Sequence, residues 1–375
     1  MKTERLPGID RLRGLVIALM VLDHVRDFFS PTPFWPDDLP DTTPGWFFTR
    51  WITHLCAPVF VLLAGTSSFM REQKVGKLAQ SKYLLSRGLL LMLLEITLIN
   101  LSWQFHYQFV FLQVIWALGV SMVVLAGLIH LPRWLIALFA FSQILLHNLL
   151  DALPQQDMGF FWGLLHFQNY YPLHESGFGV FVAYPLLPWL GVMAAGYLLG
   201  DWLMTAPEQR QRNLLVSGLT LIAAFLILRS FNIYGDHQSW TAQAQGPLYT
   251  LISFLDTSKY PPSLLYLCMT LGPALLLLAL FERWTPPLDN GLKLFGRHPL
   301  FVYIVHIPLI HAAAMVFMHA MYGGQPNLFA QQPYFPPGYE YSLLRTWLTW
   351  AVTLLVLYAM THWWNQRRRK VSVAN

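Results

Sequence analysis

The stretch that decides the fold is Ile9–Ser30, IDRLRGLVIALMVLDHVRDFFS. Its central run, Leu15–Leu22, is too apolar for a helix on the surface of a soluble protein, yet ionisable side chains flank it on both sides. Arg13 and His24 are eleven residues apart, which is roughly 1,100° of rotation and about 16 Å of rise, so they lie near one helix face. Ionisable groups inside a membrane span normally face the bundle interior or a watery cavity. The stretch predicts a membrane helix with a functional histidine, and a polar packing contact is the alternative.

The composition of the whole chain supports a membrane protein. Hydrophobic residues make up 55% of it, charged residues 11%, and the mean hydropathy is +0.44, which excludes an ordinary soluble domain. We predict an all-α, polytopic integral membrane helix bundle that forms one domain over residues 1–375. The excess of 24 Lys and Arg over 19 Asp and Glu suits cytoplasmic anchoring better than nucleic-acid binding. Cys56 and Cys268 lie in apolar segments without metal-ligand spacing, so neither a metal nor a permanently bound cofactor is predicted.

Hydropathy divides the chain into about ten membrane spans, with ten or eleven as the expected count. The predicted spans are 10–29, 47–70, 82–102, 109–130, 133–150, 180–203, 213–231, 263–282, 292–321 and 343–365. Basic residues concentrate in alternate loops, which places both termini in the cytoplasm by the positive-inside rule. The loops predicted on the other side are longer and poor in Lys and Arg: 31–46, 151–179, 232–262 and 322–342. We expect an integral protein of the bacterial inner (plasma) membrane.

Polar side chains of the first four spans fall in the outer half of the predicted membrane. They are Asp23, His24, Arg50, His54, Glu95 and Gln113. These groups could share one outward-facing cavity that holds a substrate. An alternative role for part of this set is structural. Arg50 would then form an internal ion pair with either Glu95 or Asp23, and the pair would fix the packing of the helices.

The ninth predicted span adds a second group of ionisable residues, in the stretch GRHPLFVYIVHIPLIH. Arg297 and His298 lie near its predicted cytoplasmic end, and His306 lies near the middle of the membrane. His306 is therefore the best-placed second histidine. His311 lies on another helix face, where packing or interfacial exposure is the expected role.

Several stretches resemble transmembrane acyltransferases. In IDRLRGLVIALMVLDH, Arg13 is followed after ten residues by His24, as in the first-helix pattern of acyltransferase family 3. Three more stretches resemble the heparan-alpha-glucosaminide N-acetyltransferase catalytic-domain family: RWITHLCAPVFVLLAGTSSF, FLQVIWALGVSMVVL and GRHPLFVYIVHIPLIH. The resemblance implies a ten- or eleven-helix bundle that moves an acyl group, usually acetyl, from cytoplasmic acyl-CoA to a sugar amine or hydroxyl of a glycan or glycolipid on the far side.

The sequence departs from the heparan enzyme at several positions that matter. That enzyme has an Asn where this chain has His24, and it carries its catalytic His in the following segment, where this chain has none. His54 stands where that enzyme has an Asp, and His298 stands where it has an Asn. His306 stands where that enzyme also has a His. The resemblance therefore implies a catalytic role for His24 and, less directly, for His306. It does not imply a lysosomal heparan substrate.

The expected chemistry gives each residue a role. Acyl transfer from a thioester needs a base or a transient acyl carrier, and imidazole can be either near neutral pH. Asp23 is about 100° away around the helix from His24, so we expect the orienting carboxylate to come from another helix, with Glu95 as the candidate. Cationic residues at the cytoplasmic mouth suit the phosphates of CoA, which assigns donor binding to Arg13, Arg297 and His298.

Two other classes of membrane protein are weighed against the acyltransferase. A transporter or flippase for a small anionic or lipid-linked substrate would also place polar groups at mid-depth, and Pro185 and Pro188 interrupt the sixth predicted span. Inverted halves are not evident in the sequence. Haem ligation would need paired histidines at a fixed long spacing on two helices, which the sequence lacks. Acyl-CoA, a glycan acceptor and membrane lipids are the expected partners, and a homodimer is an arrangement to test.

Overall fold

The computed structural model describes residues 6–175, 177–327 and 334–374, which are mostly helical. Fifteen α-helices occur in these ranges. They are α1 (Pro7–Phe29), α2 (Pro44–Trp51), α3 (Cys56–Val75), α4 (Lys77–Leu94), α5 (Asn100–Gln104), α6 (Val114–Leu128), α7 (Arg133–Leu146), α8 (Gly159–Leu165), α9 (Leu187–Leu203), α10 (Pro207–Phe231), α11 (Pro247–Leu255), α12 (Leu264–Arg283), α13 (Asp289–Arg297), α14 (Pro299–Tyr322) and α15 (Leu343–Ala374).

Seven helical stretches among the described residues are long and apolar enough to cross a membrane. They are Pro44–Val75, Lys77–Gln104, Arg133–Ala152, Pro207–Phe231, Leu264–Arg283, Pro299–Tyr322 and Leu343–Lys370. Helix α1 carries Asp and Arg near both ends, and α6 and α9, with 15 and 17 residues, are shorter than the roughly 20 that a span needs. The protein is an integral membrane helix bundle, while the count of ten and the cytoplasmic termini stay predictions.

The protein is mostly helical, as predicted, but it also contains a small sheet that was not predicted. Its strands are β1 (Val110–Leu112), β2 (Asn169–Pro172) and β3 (Gly179–Val182), in the order β1-β3-β2. Strand β3 is parallel to β1 and antiparallel to β2. The predicted spans 109–130 and 180–203 therefore begin as strands. Their first residues are β-branched and aromatic, which favours a strand, and an apolar run this short does not distinguish strand from helix by its pattern.

The ninth predicted span, 292–321, is two helices and not one. Helix α13 ends at Arg297 and α14 begins at Pro299, and His298 between them has a φ of −124° and a ψ of 45°. A proline disfavours helical geometry in the residue before it and is well accommodated at the first position of a helix. The sequence signal for this break was the dipeptide of His298 and Pro299.

The chain forms two compact units. The first comprises Met1–Cys56, Ala242–Ser253 and Leu280–Asn375, and the second comprises Ala57–Thr241 and Phe254–Ala279. The first unit therefore holds α1, α13, α14 and α15, with His24 and His306, whereas Glu95 and Gln113 belong to the second. A single domain over the whole chain stays a prediction.

Small residues allow close helix packing in the second unit. A Cβ atom on Gly88 of α4 would lie 2.6 Å from the carbonyl oxygen of Gly119 of α6, and a Cβ on Gly119 would lie 2.7 Å from that of Gly88. Helices in membranes commonly pack through such positions, because the two backbones can then approach closely.

Candidate active site

The first unit is built on a close contact between α1 and α13. A Cβ atom on Gly14 would lie 2.0 Å from the carbonyl oxygen of Leu292, and one on Gly296 would lie 1.9 Å from that of Asp10. No side chain fits at either glycine without moving backbone, so the two helices touch directly. This contact brings the first turns of α1 against the end of α13.

Arg11 anchors the segment that precedes α13. Its Nε donates a hydrogen bond of 2.6 Å to Asp289 Oδ1, and its other nitrogens donate to the carbonyl oxygen of Phe281 and to Thr285 Oγ1. The guanidinium holds the pKa of Asp289 below its ordinary value. These contacts give Arg11 a structural role.

Arg13 and Arg297, two of the predicted donor-binding residues, meet around Asp10. Arg13 Nη1 donates to the carbonyl oxygen of Gly296 at 3.1 Å and lies 3.8 Å from Asp10 Oδ1, and Arg297 Nε lies 3.4 Å from Asp10 Oδ2. The Arg297 side chain is 43% exposed and that of Arg13 is 16% exposed. His298, the third predicted residue, lies 3.1 Å from Asn365 Oδ1 through its Nε2. Two arginines with one carboxylate leave a net positive charge between them, which suits an anion.

The two predicted catalytic histidines of this unit lie side by side. The ring centroids of His24 on α1 and His306 on α14 are 5.1 Å apart, with an angle of 44° between the planes. His306 is fully buried, and the His24 side chain is 16% exposed. Because α1 is one continuous helix, Arg13 lies about 16 Å along it from this pair.

The hydrogen bonds of His306 fix its tautomer. Its Nδ1 lies 2.6 Å from the carbonyl oxygen of Tyr303 and 3.1 Å from that of Val302. A carbonyl oxygen only accepts hydrogen bonds, so Nδ1 carries the proton and Nε2 holds a lone pair. Nε2 is buried and has no hydrogen-bond partner among the described residues. His306 is thus a neutral imidazole with its basic nitrogen available for chemistry.

A network of charges surrounds His24. Asp23 accepts hydrogen bonds of 2.8 Å from Arg50 and 3.0 Å from Thr53, and its Oδ1 lies 3.0 Å from Arg26 Nη1. Arg26 also donates to Asp27 at 2.6 Å. Arg50 Nε also lies 3.9 Å from Asp37 Oδ2, so the network combines two arginines with three aspartates. The predicted alternative of an internal ion pair between Arg50 and Asp23 is confirmed.

Asp27 is the carboxylate beside His24, and sequence reasoning missed it. Its Oδ2 lies 3.5 Å from His24 Nδ1. The two residues are three positions apart on one helix, which is a spacing that brings side chains together. An orienting carboxylate from another helix is therefore not needed, although the catalytic role predicted for Glu95 is not tested by this contact.

The remaining three predicted site residues are buried, His54 in the first unit and Glu95 and Gln113 in the second. His54 is buried in a 3₁₀ turn, Ile52–Leu55. In the second unit, Glu95 begins a π-helical turn, Glu95–Ile99, and its Oε2 accepts a hydrogen bond of 3.0 Å from the backbone N–H of Trp116. Gln113 directly precedes α6 and is also buried. A π-turn inside an α-helix often marks a functional position.

Comparison with known families decides the class of protein. A sequence model described as heparan-alpha-glucosaminide N-acetyltransferase, catalytic, matches residues 5–239, which is more than half of the chain. The chain belongs to this family. A comparison with curated proteins found no significant match.

Membership in the heparan-alpha-glucosaminide N-acetyltransferase catalytic family makes the protein a membrane transferase. The match confirms the predicted resemblance. It includes α1 with Arg13 and His24, and it ends before Arg297, His298 and His306. The geometry of the His24–His306 pair is therefore information that the structure adds to the family match.

The second unit holds another cluster of histidines that sequence reasoning did not single out. His166 Nε2 lies 2.9 Å from Asp151 Oδ1, and the rings of His147 and His166 are 5.6 Å apart. Asn148 donates to Asp151 at 2.8 Å and accepts a hydrogen bond from the backbone N–H of Leu264. These residues lie at a loop of the family domain, and their spacing in the sequence carries no recognisable motif.

Proposed function

We propose that this protein transfers an acyl group, with acetyl as the expected one, from cytoplasmic acyl-CoA to a sugar amine or hydroxyl on the other side of the membrane. The observation that carries the proposal is the His24–His306 pair, in which the Nε2 lone pair of the buried His306 is available. Family membership favours this enzyme over the transporter or flippase.

His306 Nε2 supplies the base that acyl transfer needs. It accepts the proton of the acceptor hydroxyl or amine while the acceptor oxygen or nitrogen bonds to the thioester carbonyl carbon. The C–S bond then breaks, and CoA leaves as a thiolate that takes up a proton. If the acyl group is instead carried transiently on the histidine, the same lone pair makes the bond.

His24 and Asp27 support this step from α1. Asp27 Oδ2 lies 3.5 Å from Nδ1 of His24 and helps to orient the imidazole ring. An N–H of that ring placed beside the reacting carbonyl would stabilise the negative charge that develops on the carbonyl oxygen.

The cationic cluster of Arg13 and Arg297, where the start of α1 meets the end of α13, binds the donor. Arg13 and Arg297 lie beside the same carboxylate, Asp10, and the planar, positively charged guanidinium suits the phosphates of CoA. The thioester arm then spans the roughly 16 Å from Arg13 to His24 along the helix.

The test is acetyl transfer from labelled acetyl-CoA to a glucosamine acceptor by the purified protein in nanodiscs. We expect His306→Ala and His24→Ala each to lower kcat/KM by roughly two to four orders of magnitude, which is the usual value of a positioned acid–base group. Both variants should still bind acetyl-CoA, because the arginines are intact.

His311→Ala is the matched control. His311 lies on the same helix as His306, is also buried, and stacks on Phe28 with ring centroids 4.5 Å apart. Its loss removes packing but not the proposed base, so thermal stability should fall while turnover of the folded protein stays near wild type. Normal transfer by well-folded His306→Ala and His24→Ala proteins would refute the proposed site.

A further inference from the structure

An open apolar cavity lies in the first unit between α1, α14 and α15. Its volume is about 410 Å³, and it is lined by Phe29, by Leu309, Ile310 and Ala313, and by the 348–356 stretch of α15. This volume falls within the range of pockets that hold small ligands. Its only polar side chains are threonines, and none of the lining residues is charged. An uncharged wall of this kind suits a hydrocarbon chain.

The cavity opens towards the lipid. On α15, which packs on α1 and α14 through one face, Leu348 and Val352 line the opening and are each 60% exposed. Helix α15 is one of the stretches able to cross a membrane. A chain that is already dissolved in the bilayer can therefore enter from the side without passing through water.

The cavity begins about one helical turn beyond His306 on α14. Leu309 and Ile310 follow His306 by three and four residues, and this spacing puts side chains on one face of a helix. On α1, Phe29 is five residues beyond His24 and next to Phe28, whose ring stacks on His311. The α14 wall of the cavity thus begins about 5 Å along the helix from His306.

The cavity lies on the far side of the histidines from the donor end. Arg297 ends α13, just before α14 begins at Pro299, whereas Ala313 is seven residues after His306 on α14. Along α14, the cavity lining therefore lies beyond His306, towards the end of the helix away from Arg297. A CoA head held by Arg13 and Arg297 would approach His306 from the opposite direction. The expected acyl group, acetyl, is too short to fill a cavity of about 410 Å³, so the occupant is assigned to the acceptor and not to the donor.

We infer that the acceptor is lipid-linked and that its hydrocarbon chain lies in this cavity, which presents the sugar head group to His24 and His306. The inference rests on the proposed acyl transfer and specifies its acceptor class. It predicts that the enzyme takes its acceptor from the bilayer, so that the chain contributes to KM while the head group undergoes the chemistry.

The first experiment compares dodecyl glucosaminide with methyl glucosaminide as acetyl acceptors in nanodiscs. Ala313→Trp fills the cavity from its exposed wall. We expect KM for the dodecyl acceptor to rise about tenfold, with the KM values for methyl glucosaminide and acetyl-CoA unchanged. Ala312→Trp is the matched control, because Ala312 is exposed on the same helix but does not line the cavity. An unchanged KM for the dodecyl acceptor in Ala313→Trp would overturn the inference.

The second experiment measures binding and does not depend on turnover. A dodecyl glucosaminide with a photoreactive diazirine in its chain should label the 348–356 stretch and α14, and unlabelled dodecyl glucosaminide should displace it. Equal displacement by phosphatidylethanolamine would mean that the cavity holds ordinary bilayer lipid, and displacement by palmitoyl-CoA would assign it to a donor chain; either result overturns the inference. Specific labelling without any acetyl transfer would instead refute the proposed function.

Discussion

Each compact unit contains two histidines and an aspartate in contact, but the two sets differ in what surrounds them. In the first unit, the rings of His24 and His306 are 5.1 Å apart, and Asp27 lies 3.5 Å from His24. In the second, those of His147 and His166 are 5.6 Å apart, and Asp151 lies 2.9 Å from His166. Residue types and distances alone would not distinguish a reactive pair from a structural one.

The neighbours of each set make the difference. His306 is oriented by its own helix, and it lies between a cationic cluster and an apolar cavity. His166 is oriented by Asp151, which also binds Asn148, and Asn148 in turn binds the backbone at Leu264. The first arrangement leaves a nitrogen available beside two places for substrates. The second connects three chain segments and thereby stabilises a loop.

The largest expected effect is the difference in transfer activity between a variant of the first histidine set, His306→Ala, and one of the second, His166→Ala. His306→Ala should lower kcat/KM by roughly two to four orders of magnitude. His166→Ala should leave the activity of folded protein within about twofold and lower its stability by about 1–3 kcal/mol, because Asp151 loses a buried hydrogen bond. Transfer assays and thermal unfolding on the same preparations measure both. A loss of activity in His166→Ala as large as in His306→Ala would make the second cluster part of the site.

The next effect compares an ion pair of the first unit with one of the second. Arg50 and Asp23 are 2.8 Å apart with side chains 8% and 12% exposed, whereas Arg133 and Asp201 are 2.6 Å apart with side chains 63% and 40% exposed. Arg50→Ala should destabilise the protein by about 1.5–3 kcal/mol, because Asp23 loses a charged hydrogen bond but keeps its contacts with Arg26 and Thr53. Arg133→Ala should cost about 0–1 kcal/mol. Equal thermal shifts in the two variants would show that burial does not determine the strength of these pairs.

A smaller effect concerns the donor. Arg297→Ala should weaken acetyl-CoA binding about tenfold, because a hydrogen bond between charged groups contributes about 1.5–3 kcal/mol in a well-ordered site and less at an exposed one. Arg367→Ala is the control, since Arg367 is an exposed cation near the predicted cytoplasmic surface and lies over the Trp363 ring. Calorimetric titration of acetyl-CoA measures both constants. The same loss of affinity in both variants would indicate a general effect of surface charge.

The smallest effect is a dependence of stability on pH. The pKa of Asp289 is lowered, mainly by its hydrogen bond with Arg11, so the ionised form stabilises the fold. That contribution is fully present above the ordinary pKa near 3.8 and disappears as the pH falls through the lowered value. In thermal unfolding, Asp289→Asn should therefore have a lower Tm than wild type at pH 6, and this difference in Tm should shrink towards pH 3. A difference in Tm that stays constant over this range would show that ionisation of Asp289 does not contribute to the loss of stability in acid.

Uniform apolar stretches made much of the helical fold predictable. The predicted spans 10–29 and 263–282 agree within a few residues with α1 and α12, because length and hydropathy are local properties. The sheet was not predictable, since β1 and β3 pair across 66 residues of intervening sequence, 113–178, and each is only three or four residues long. Such pairing depends on tertiary contacts that a hydropathy profile does not contain.

The site was predictable only in part. Arg13 and Arg297 were expected to serve the same ligand, and His24 and His306 the same reaction, and the structure brings each pair together. Asp27 was missed although its spacing from His24 is visible in the sequence. The tautomer of His306 could not be predicted, because it depends on side-chain rotation towards the carbonyl oxygens of its own helix.

The glycine contact between α1 and α13 has a consequence for motion during turnover. With Gly14 against Leu292 and Gly296 against Asp10, neither helix can slide or rotate past the other without backbone collisions. The two helices therefore move as one rigid body, and the arginines keep a fixed separation whether or not CoA is bound. Any opening that admits the donor must bend the chain elsewhere, and the non-helical residue His298 between α13 and α14 is the natural hinge.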